Sequence, residues 1–415
     1  MQIRSLKIKM FSPELVTQIV FGLFLGILAG TFTGLVPGIH INTLAFFIVA
    51  SLTWLSKHFQ PLPLASFIAS MSITHTFIDF IPSIFLGSPD EDTALSILPG
   101  HSMLLQGKGY QAVMYTLYGG LFGLGIILIF TPVFVYLLPK AYPYIKSLMF
   151  FILFFASTYL LWREEKKALA LLVFLLSGFV GLSTFSLPLK ESLLPMLTGL
   201  FGASSLILSI KKTHQIPKQK VSDFKLGLKK KQIAKILGAS SIASSICSFL
   251  PALGSGQAAV LASDITQENN KSEFLMLIGG INTIVMGLSI IALYSLDVKR
   301  TGSAAAISQI LANFPLSYLI ALTVVMLFSG LVSFLLCKKL SLFFSKNINK
   351  INYKRLSLFV LFFISAVVLA FSGVLGFLVF IVSTFLGLYA ILAGARRTLM
   401  MGCLMLPALL WYFPL

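Results

Sequence analysis

The sequence predicts an all-α polytopic integral membrane protein, with about 10–13 membrane segments in two pseudo-symmetric repeats that contain broken or re-entrant helices. Three observations predict this fold class. The 415 residues are 57% hydrophobic and 11% charged, whereas a soluble domain carries roughly 25% charged residues. The hydrophobic residues form long runs without the alternation of a membrane β-barrel. Two of these runs are interrupted in the middle by proline and small residues.

The apolar runs account for nearly the whole chain, which leaves no room for a large soluble domain. Spanning a bilayer takes about 20 apolar residues per helix. Three tryptophans, Trp54, Trp162 and Trp411, lie near the ends of runs, where indole rings favour the headgroup level. The runs span 15–36, 39–55, 64–87, 111–138, 143–162, 168–187, 192–210, 233–262, 274–296, 303–336, 356–373, 374–395 and 398–413.

The positive charge of the chain is concentrated in short polar segments. Lysines and arginines number 31 against 13 acids, which gives a formal charge of +18. Residues 211–235 contain nine lysines and one acid, Asp223, a pattern typical of a cytoplasmic connection and not of nucleic-acid binding. We therefore predict a first half at 1–210, a basic cytoplasmic linker at 211–235 and a second half at 236–415, in a multi-pass prokaryotic cell membrane protein.

The two halves carry similar interrupted segments. Residues 35–45 (LVPGIHINTLA) and 249–259 (FLPALGSGQAA) both place proline third and small or polar residues after it. A second pair, 73–76 (ITHT) and 281–283 (INT), follows at nearly the same separation. This order predicts a duplicated fold. Inverted repeats conflict, however, with a cytoplasmic basic N-terminus, unless the repeats are parallel, a run is re-entrant, or the weak N-terminal charge misleads.

Interrupted helices at the bilayer midplane are typical of secondary transporters. Proline removes a backbone hydrogen bond and glycine favours unwinding, and unwound backbone in lipid is tolerated where it lines a cavity. The alternative is a pair of proline kinks that only shape packing. The predicted substrate-binding residues are Pro37, Gly38, His40, Asn42, Thr43, Pro251, Gly254, Ser255, Gly256, Gln257, Asn282 and Thr283.

Ionisable residues inside the run at 64–87 narrow the site further. His75 and Asp79 are four residues apart, on one face of a helix. Such groups are expensive in lipid and normally face a cavity or a partner, so we predict that they couple transport to H⁺ or Na⁺. The alternative is a structural pair that ties helices together. His40 is predicted to donate to a bound anion, with a hydrogen-bonded core histidine as its alternative.

The acidic cluster at 88–93 (SPDEDT) fits either a helix cap or a loop at the mouth of the site. We predict no metal site and no cofactor, and the three cysteines, which lack metal-ligand spacing, are predicted to be packing residues. Two other functional classes remain open. One is a lipid-carrier translocase, and the other is a membrane-embedded enzyme that uses Asp90, Asp92 and His101 on a lipid-linked substrate.

Five stretches in a fixed order carry a family resemblance: 34–40 (GLVPGIH), 87–90 (GSPD) through 98–101 (LPGH), 107–109 (GKG), 118–120 (YGG) and 396–407 (RRTLMMGCLMLP). They resemble the large membrane permease subunit of tripartite tricarboxylate transporters (TctA-like), especially its shorter archaeal relatives. The resemblance implies carboxylate uptake driven by a cation gradient, with the site between two repeats. It also implies a small membrane subunit and a periplasmic binding protein as partners, with action alone as the alternative. The sequence departs from the family pattern at Pro251-Ala252, where a Pro-Gly turn is expected.

The residues and the resemblance together predict a secondary transporter for a small anionic solute, a di- or tricarboxylate, and not an enzyme. Expected partners are membrane lipid, the small-molecule anion, a second copy of the chain in a homodimer, and the two accessory subunits.

Overall fold

All regular elements of the described chain are helices. The computed structural model describes residues 11–36, 41–86, 97–189, 192–211, 217–221, 224–250, 254–266, 270–348 and 353–413. The helices are α1 Pro13–Leu35, α2 Ile41–Ala50, α3 Leu52–Leu55, α4 Pro61–Ile78, α5 Phe80–Phe85, α6 Ile97–Leu104, α7 Gly109–Tyr136, α8 Leu138–Ser147, α9 Met149–Trp162, α10 Lys167–Ser186, α11 Leu193–Leu197, α12 Ser204–Lys211, α13 Lys230–Cys247, α14 Ser255–Thr266, α15 Lys271–Leu296, α16 Gly302–Ile310, α17 Leu316–Asn347, α18 Tyr353–Leu392 and α19 Gly402–Trp411. A π-helix at Thr198–Ala203 and a 3₁₀ helix at Arg397–Met401 complete them. The predicted all-helical membrane fold is confirmed.

Among the described residues, seven helical segments are long and apolar enough to cross a membrane, and the bent pair α8–α9, whose members meet at 74°, brings the number to eight. The sequence estimate of 10–13 was higher because it counted every apolar run as one segment. Two of those runs form shorter apolar helices, at Leu193–Leu208 and Arg397–Trp411. The run at 39–55 forms the still shorter α2 and α3.

One long helical stretch is divided at a single glycine. The predicted runs 356–373 and 374–395 both lie in α18, and its non-helical residue is Gly373, with φ 65° and ψ −169°. A side chain at this φ would be strained, so glycine is the residue suited to the position. The break lies where the two predicted runs meet.

Two spans form the centre of the molecule. In the span Pro61–Phe85, which joins α4 and α5, and in α15, 94% of the most apolar 18 residues are buried. In the other spans the buried share is 22–44%. Helices α1 and α17 pack on the first of these spans, and α7 and α13 pack on α15. Helix α10 packs mainly on α19, and α18 mainly on the π-helix and α12. These outer helices present much of their own surface outward, toward the membrane.

Small residues allow the helices around the centre to approach closely. Four glycines of α1 are spaced four residues apart and meet successive turns of α4, so that α1 and α4 are parallel. Close contact through small residues is the usual basis of helix association in lipid. The facing positions are Gly22 with Pro63, Gly26 with Phe67, Gly30 with Met71 and Gly34 with Ile78.

The second central helix, α15, has two parallel neighbours. On one side α13 runs parallel to α15, since Gln232 Nε2 donates to Glu273 Oε1 at 2.6 Å and Ser240 lies against Gly280. On the other side α7 also runs parallel to α15, since Gly119 contacts Met276 and Gly287 contacts Ile127. Helix α17 runs parallel to α4 in the same way, since Ser333 contacts Thr74 and Cys337 contacts Phe77.

In both halves a short helix returns the chain between two parallel helices. Because α1 and α4 are parallel, α2 and α3 must return the chain to the end at which α1 began. Likewise α14 lies between the parallel helices α13 and α15, and its end is held beside the start of α13 by a hydrogen bond from Lys235 Nζ to the Thr266 carbonyl.

The described part of the basic linker is attached to the start of α7. Gln219 accepts a hydrogen bond from the Gly109 N–H at 2.8 Å and donates to the Leu104 carbonyl at 3.1 Å. The Lys220 N–H donates to the Gly107 carbonyl at 2.8 Å. The linker therefore lies at the end of the molecule where α7, α13 and α15 begin. Helix α13 starts at Lys230, inside the range predicted as linker.

Candidate functional site

A buried carboxylate lies where the two central helices meet. Asp79 is 2% exposed and follows α4 directly. Pro82, three residues later, has no N–H to continue the helical hydrogen bonds, so the chain breaks at Asp79 before α5. Asn282 of α15 is 1% exposed, and its Nδ2 donates to Asp79 Oδ2 at 2.9 Å. The contact joins residues from the two predicted halves.

His75 lies on the same face as Asp79, as their spacing predicts. Its Nε2 is 4.0 Å from Asp79 Oδ2. Its Nδ1 is 3.0 Å from the Thr33 hydroxyl of α1, and that hydroxyl is 3.2 Å from the Gly30 carbonyl. If Thr33 donates its proton to the carbonyl, its oxygen accepts from Nδ1–H. The imidazole is then oriented with Nε2 toward the carboxylate.

Hydroxyl groups extend the polar contacts along α4. Thr76 and Thr283 are joined by their hydroxyls at 3.2 Å, beside the Asp79–Asn282 contact. Two more pairs join α4 to other helices: Ser72–Ser303 at 2.6 Å to α16, and Ser333–Thr74 at 2.9 Å to α17. In lipid such groups need protein partners, and α4 finds them on three different helices.

Sequence reasoning identified Asp79, His75, Asn282 and Thr283 but missed Thr33 and the hydroxyl pairs. A signal for the pairs was present, because five serines and threonines lie in the apolar helix α4, at Ser66, Ser70, Ser72, Thr74 and Thr76, and such residues are enriched where membrane helices pack together. The four-residue glycine spacing of α1 similarly marks the helix that packs beside His75. Neither pattern contains an ionisable group, so a search for such groups passes over both.

The helices end around the two predicted interruptions. Helix α1 ends at Leu35 and α2 begins at Ile41, while α13 ends at Cys247 and α14 begins at Ser255. The end of α1 lies beside the Asp79 backbone, because a Cβ on Gly34 would be 3.2 Å from the Asp79 N. At the other interruption Arg300 Nε donates to the Cys247 carbonyl at 3.2 Å.

The structure describes the predicted substrate-binding residues unevenly. Ser255, Asn282 and Thr283 are buried, and Gly254 precedes α14. Gly256 is half-buried, and a Cβ placed on it would meet none of the described residues within 4 Å. Pro37, Gly38, His40 and Pro251 lie outside the described residues, and for Asn42, Thr43 and Gln257 only the helical backbone is described.

The residues of the alternative enzyme hypothesis are only partly described. Asp90 and Asp92 lie outside the described residues, and His101 Nδ1 is 3.4 Å from the Ile84 carbonyl. No group of three or more His, Cys, Asp or Glu suited to a metal ion occurs within the part of the chain that the structure covers.

A cavity of about 670 Å³ opens at the end of the molecule opposite the linker. It lies between α2–α3, the start of α4 and the end of α16. Its polar lining comes from Thr53, Ser56 and Gln309, among apolar neighbours. Its lining comes from α2 and α4, in the predicted first half, and from α16, in the predicted second half.

Comparison with known proteins decides the family. The model of the tripartite tricarboxylate transporter TctA family matches residues 20–402. The chain belongs to the TctA family. It is also 31% identical over 402 residues to an uncharacterized protein of Methanocaldococcus jannaschii, with 94% of this chain and 98% of that protein covered. No solved structure matches the chain.

Family membership confirms the resemblance found in the sequence and extends it over nearly the whole chain. This TctA-family chain is a multi-pass membrane protein and a component of a transport system, which agrees with the seven or eight candidate spans. The family is a transporter family, in keeping with the prediction that the chain is not an enzyme, and its name places it in systems of three parts.

Proposed function

We propose that this TctA-family chain is a secondary transporter that moves a small di- or tricarboxylate across a prokaryotic cell membrane, driven by a proton or sodium gradient. The observation that carries the proposal is the contact between Asp79 and Asn282 on the two most buried spans. An ionisable residue at such a position is expensive in lipid and marks an ion or substrate pathway. Membership of the TctA family supports the carboxylate class.

The helix directions support an inverted arrangement of the two halves. Helices α1, α4 and α17 run one way, while α13, α15 and α7 run the other way. The cross-contacts Thr76–Thr283 and Asp79–Asn282 fit this opposition, since the residue numbers rise on α4 as they fall on α15. In this arrangement the third long helix of each half packs on the central helix of the other half: α7 packs on α15, and α17 packs on α4.

Inverted halves place the N-terminus on the outer side of the membrane. The nine lysines of the linker favour a cytoplasmic position, and α7, α13 and α15 begin there. Helix α1 begins at the opposite end. Inverted repeats then no longer conflict with the charge pattern. The pairs α1–α2 and α13–α14 are re-entrant, because each returns to the side of the membrane from which it entered. The weak positive charge of the N-terminus is misleading as a topology signal.

The interruptions supply the anion site in this proposal. Asn42 and Thr43 lie in the first turn of α2, and Ser255 and Gly256 in the first turn of α14. Free N–H groups at helix starts attract anions. The first turns of α2 and α14 each follow an interruption and belong to opposite halves. In this proposal a carboxylate bound between the two turns lies near Asp79, whose charge changes the affinity for it. His40, Gly38 and the prolines 37 and 251 complete the proposed site.

A labelling experiment tests the orientation. Glu14→Cys and Lys225→Cys place single exposed thiols at the start of α1 and in the linker, while the three native cysteines are buried. In intact cells we expect a membrane-impermeant maleimide to label Glu14→Cys and to label Lys225→Cys only after permeabilisation. Labelling of both from the same side would contradict the inverted arrangement.

Uptake by the purified chain tests the transport activity. Sealed proteoliposomes are given radiolabelled citrate, succinate or malate under an inward proton or sodium gradient. We expect accumulation of at least one carboxylate that collapses when an ionophore removes the gradient. Failure of all three under both gradients would contradict the carboxylate proposal, unless addition of the small membrane subunit and the binding protein, the partners proposed from the family, restores uptake.

A further inference from the structure

The immediate neighbours of Asp79 indicate which cation drives transport. We propose that the coupling ion is a proton carried by Asp79, and that Asn282 is the positioning residue that pairs with both protonation states of its carboxyl group. This inference rests on the proposed transport function and specifies its driving ion.

The first argument is the kind of atom that faces the carboxylate. Asn282 presents an N–H to Oδ2 at 2.9 Å, and the His75 ring nitrogen lies 4.0 Å from the same oxygen. In these two directions Oδ2 therefore meets nitrogen atoms, whereas hard cations are held by several oxygens. An imidazole nitrogen can also take up and release a proton.

The second argument is the chemistry of the asparagine side chain. An amide carries both a donor NH₂ and an acceptor C=O. When Asp79 is ionised, Asn282 donates to it. When Asp79 is protonated, its O–H needs an acceptor, and rotation of the amide by half a turn presents the oxygen of Asn282. The hydrogen bond between Asn282 and Asp79 is therefore available in both protonation states of Asp79, with the amide turned in opposite directions.

Few other titratable groups surround this contact among the described helices. His75 is on the same helix, and α17 brings the Cys337 thiol, which donates to the Phe77 carbonyl at 3.1 Å. Helix α1 brings the Thr33 hydroxyl, α15 has its acid Glu273 nine residues before Asn282, and α16 (GSAAAISQI) has no ionisable residue. Helix α7 contributes tyrosines but no acid, lysine, arginine or histidine. Among these described groups Asp79 and His75 lie nearest to the contact, and they are the two to which the proposal assigns the exchange of the proton.

The transport step is balanced without any redox partner. A proton from the outer water binds Asp79 Oδ2, by way of His75, while the carboxylate solute occupies the site. After the site opens to the other side, the O–H bond breaks, the proton enters the inner water, and the Asp79 carboxylate is restored.

The test uses citrate or succinate as the probe and a pH dye trapped inside sealed proteoliposomes that contain the full chain. In sodium-free buffer we expect uptake of the probe to acidify the interior and to be abolished by a protonophore. Uptake that requires sodium and leaves the internal pH unchanged would overturn the proton assignment but leave carboxylate transport standing. No uptake of either probe under either gradient, also after addition of the small membrane subunit and the binding protein, would overturn both.

Variants of Asn282 separate positioning from mere packing. In Asn282→Asp a second carboxylate disfavours ionisation of the pair, so the pH dependence of uptake should shift upward by about one unit or more. Asn282→Leu keeps the number and branching of the side-chain heavy atoms but loses the amide, and should lose the acidification per solute taken up. If both variants keep the wild-type pH profile and acidification, Asn282 has no role in proton coupling.

Discussion

Asp79→Asn should reduce gradient-driven carboxylate accumulation to the level of empty liposomes while the protein stays folded and inserted. The new amide has the shape of the carboxylate and still offers an oxygen to Asn282 Nδ2, so the contact between α4 and α15 is kept. It has no proton to gain or lose, so solute movement is no longer coupled to the gradient. Uptake in proteoliposomes and elution as a single species in gel filtration measure the two parts of this expectation.

Glu273→Gln is the matched control for this variant. Glu273 is the buried acid of α15, 3% exposed, and accepts a hydrogen bond from Gln232 near the end where the linker lies. Its neutralisation removes the same charge from a buried site outside the centre, and we expect accumulation to continue. Normal accumulation by Asp79→Asn would remove Asp79 from the coupling mechanism.

Gly119→Val should destabilise the molecule more than any polar substitution in the site. A Cβ on Gly119 would overlap the Met276 carbonyl, and the reciprocal position Gly279 meets the Thr116 carbonyl in the same way. Backbone atoms cannot yield as a flexible side chain does, so α7 and α15 must separate. Overpacking of this kind costs about 3 kcal/mol or more, and we expect a much lower melting temperature in detergent.

Gly125→Val is the control on the same helix. Gly125 is exposed, and a Cβ there would meet no atom within 4 Å in the part of the chain that the structure covers, so valine should leave the melting temperature near that of the unaltered protein. Equal melting temperatures for Gly119→Val and Gly125→Val would contradict the close packing of α7 on α15.

The fold class followed from the sequence because lipid restricts a chain to few structures. Composition and run length decide between helix and strand there, and the positions of Pro37, Pro251 and Gly373 indicated where helices end. The number of spans was harder to predict. An apolar run such as 39–55 has the composition of a span, but the parallel packing of α1 on α4 makes it a returning segment.

The candidate site was predictable where it depends on charge and less so where it depends on packing. Asp79 and His75 are conspicuous in an apolar run, because ionisable groups there are expensive. Thr33 and Ser333 are ordinary helix residues until the helices are placed side by side. Their roles follow from contacts between distant segments, such as Ser333 with Thr74, 259 residues apart, which local pattern does not encode.

The central claim is that the interruptions line a water-filled site between the halves, and cysteine reactivity tests it most directly. Gly256→Cys and Gly125→Cys each place a thiol where the structure leaves room, one beside the second interruption and one on the outer face of α7. In lipid nanodiscs, which open both sides to reagent, a charged methanethiosulfonate should modify Gly256→Cys, more slowly with citrate present, and should leave Gly125→Cys unmodified. A Gly256→Cys thiol as inert as that of Gly125→Cys would show a dry, closed interior and contradict the account.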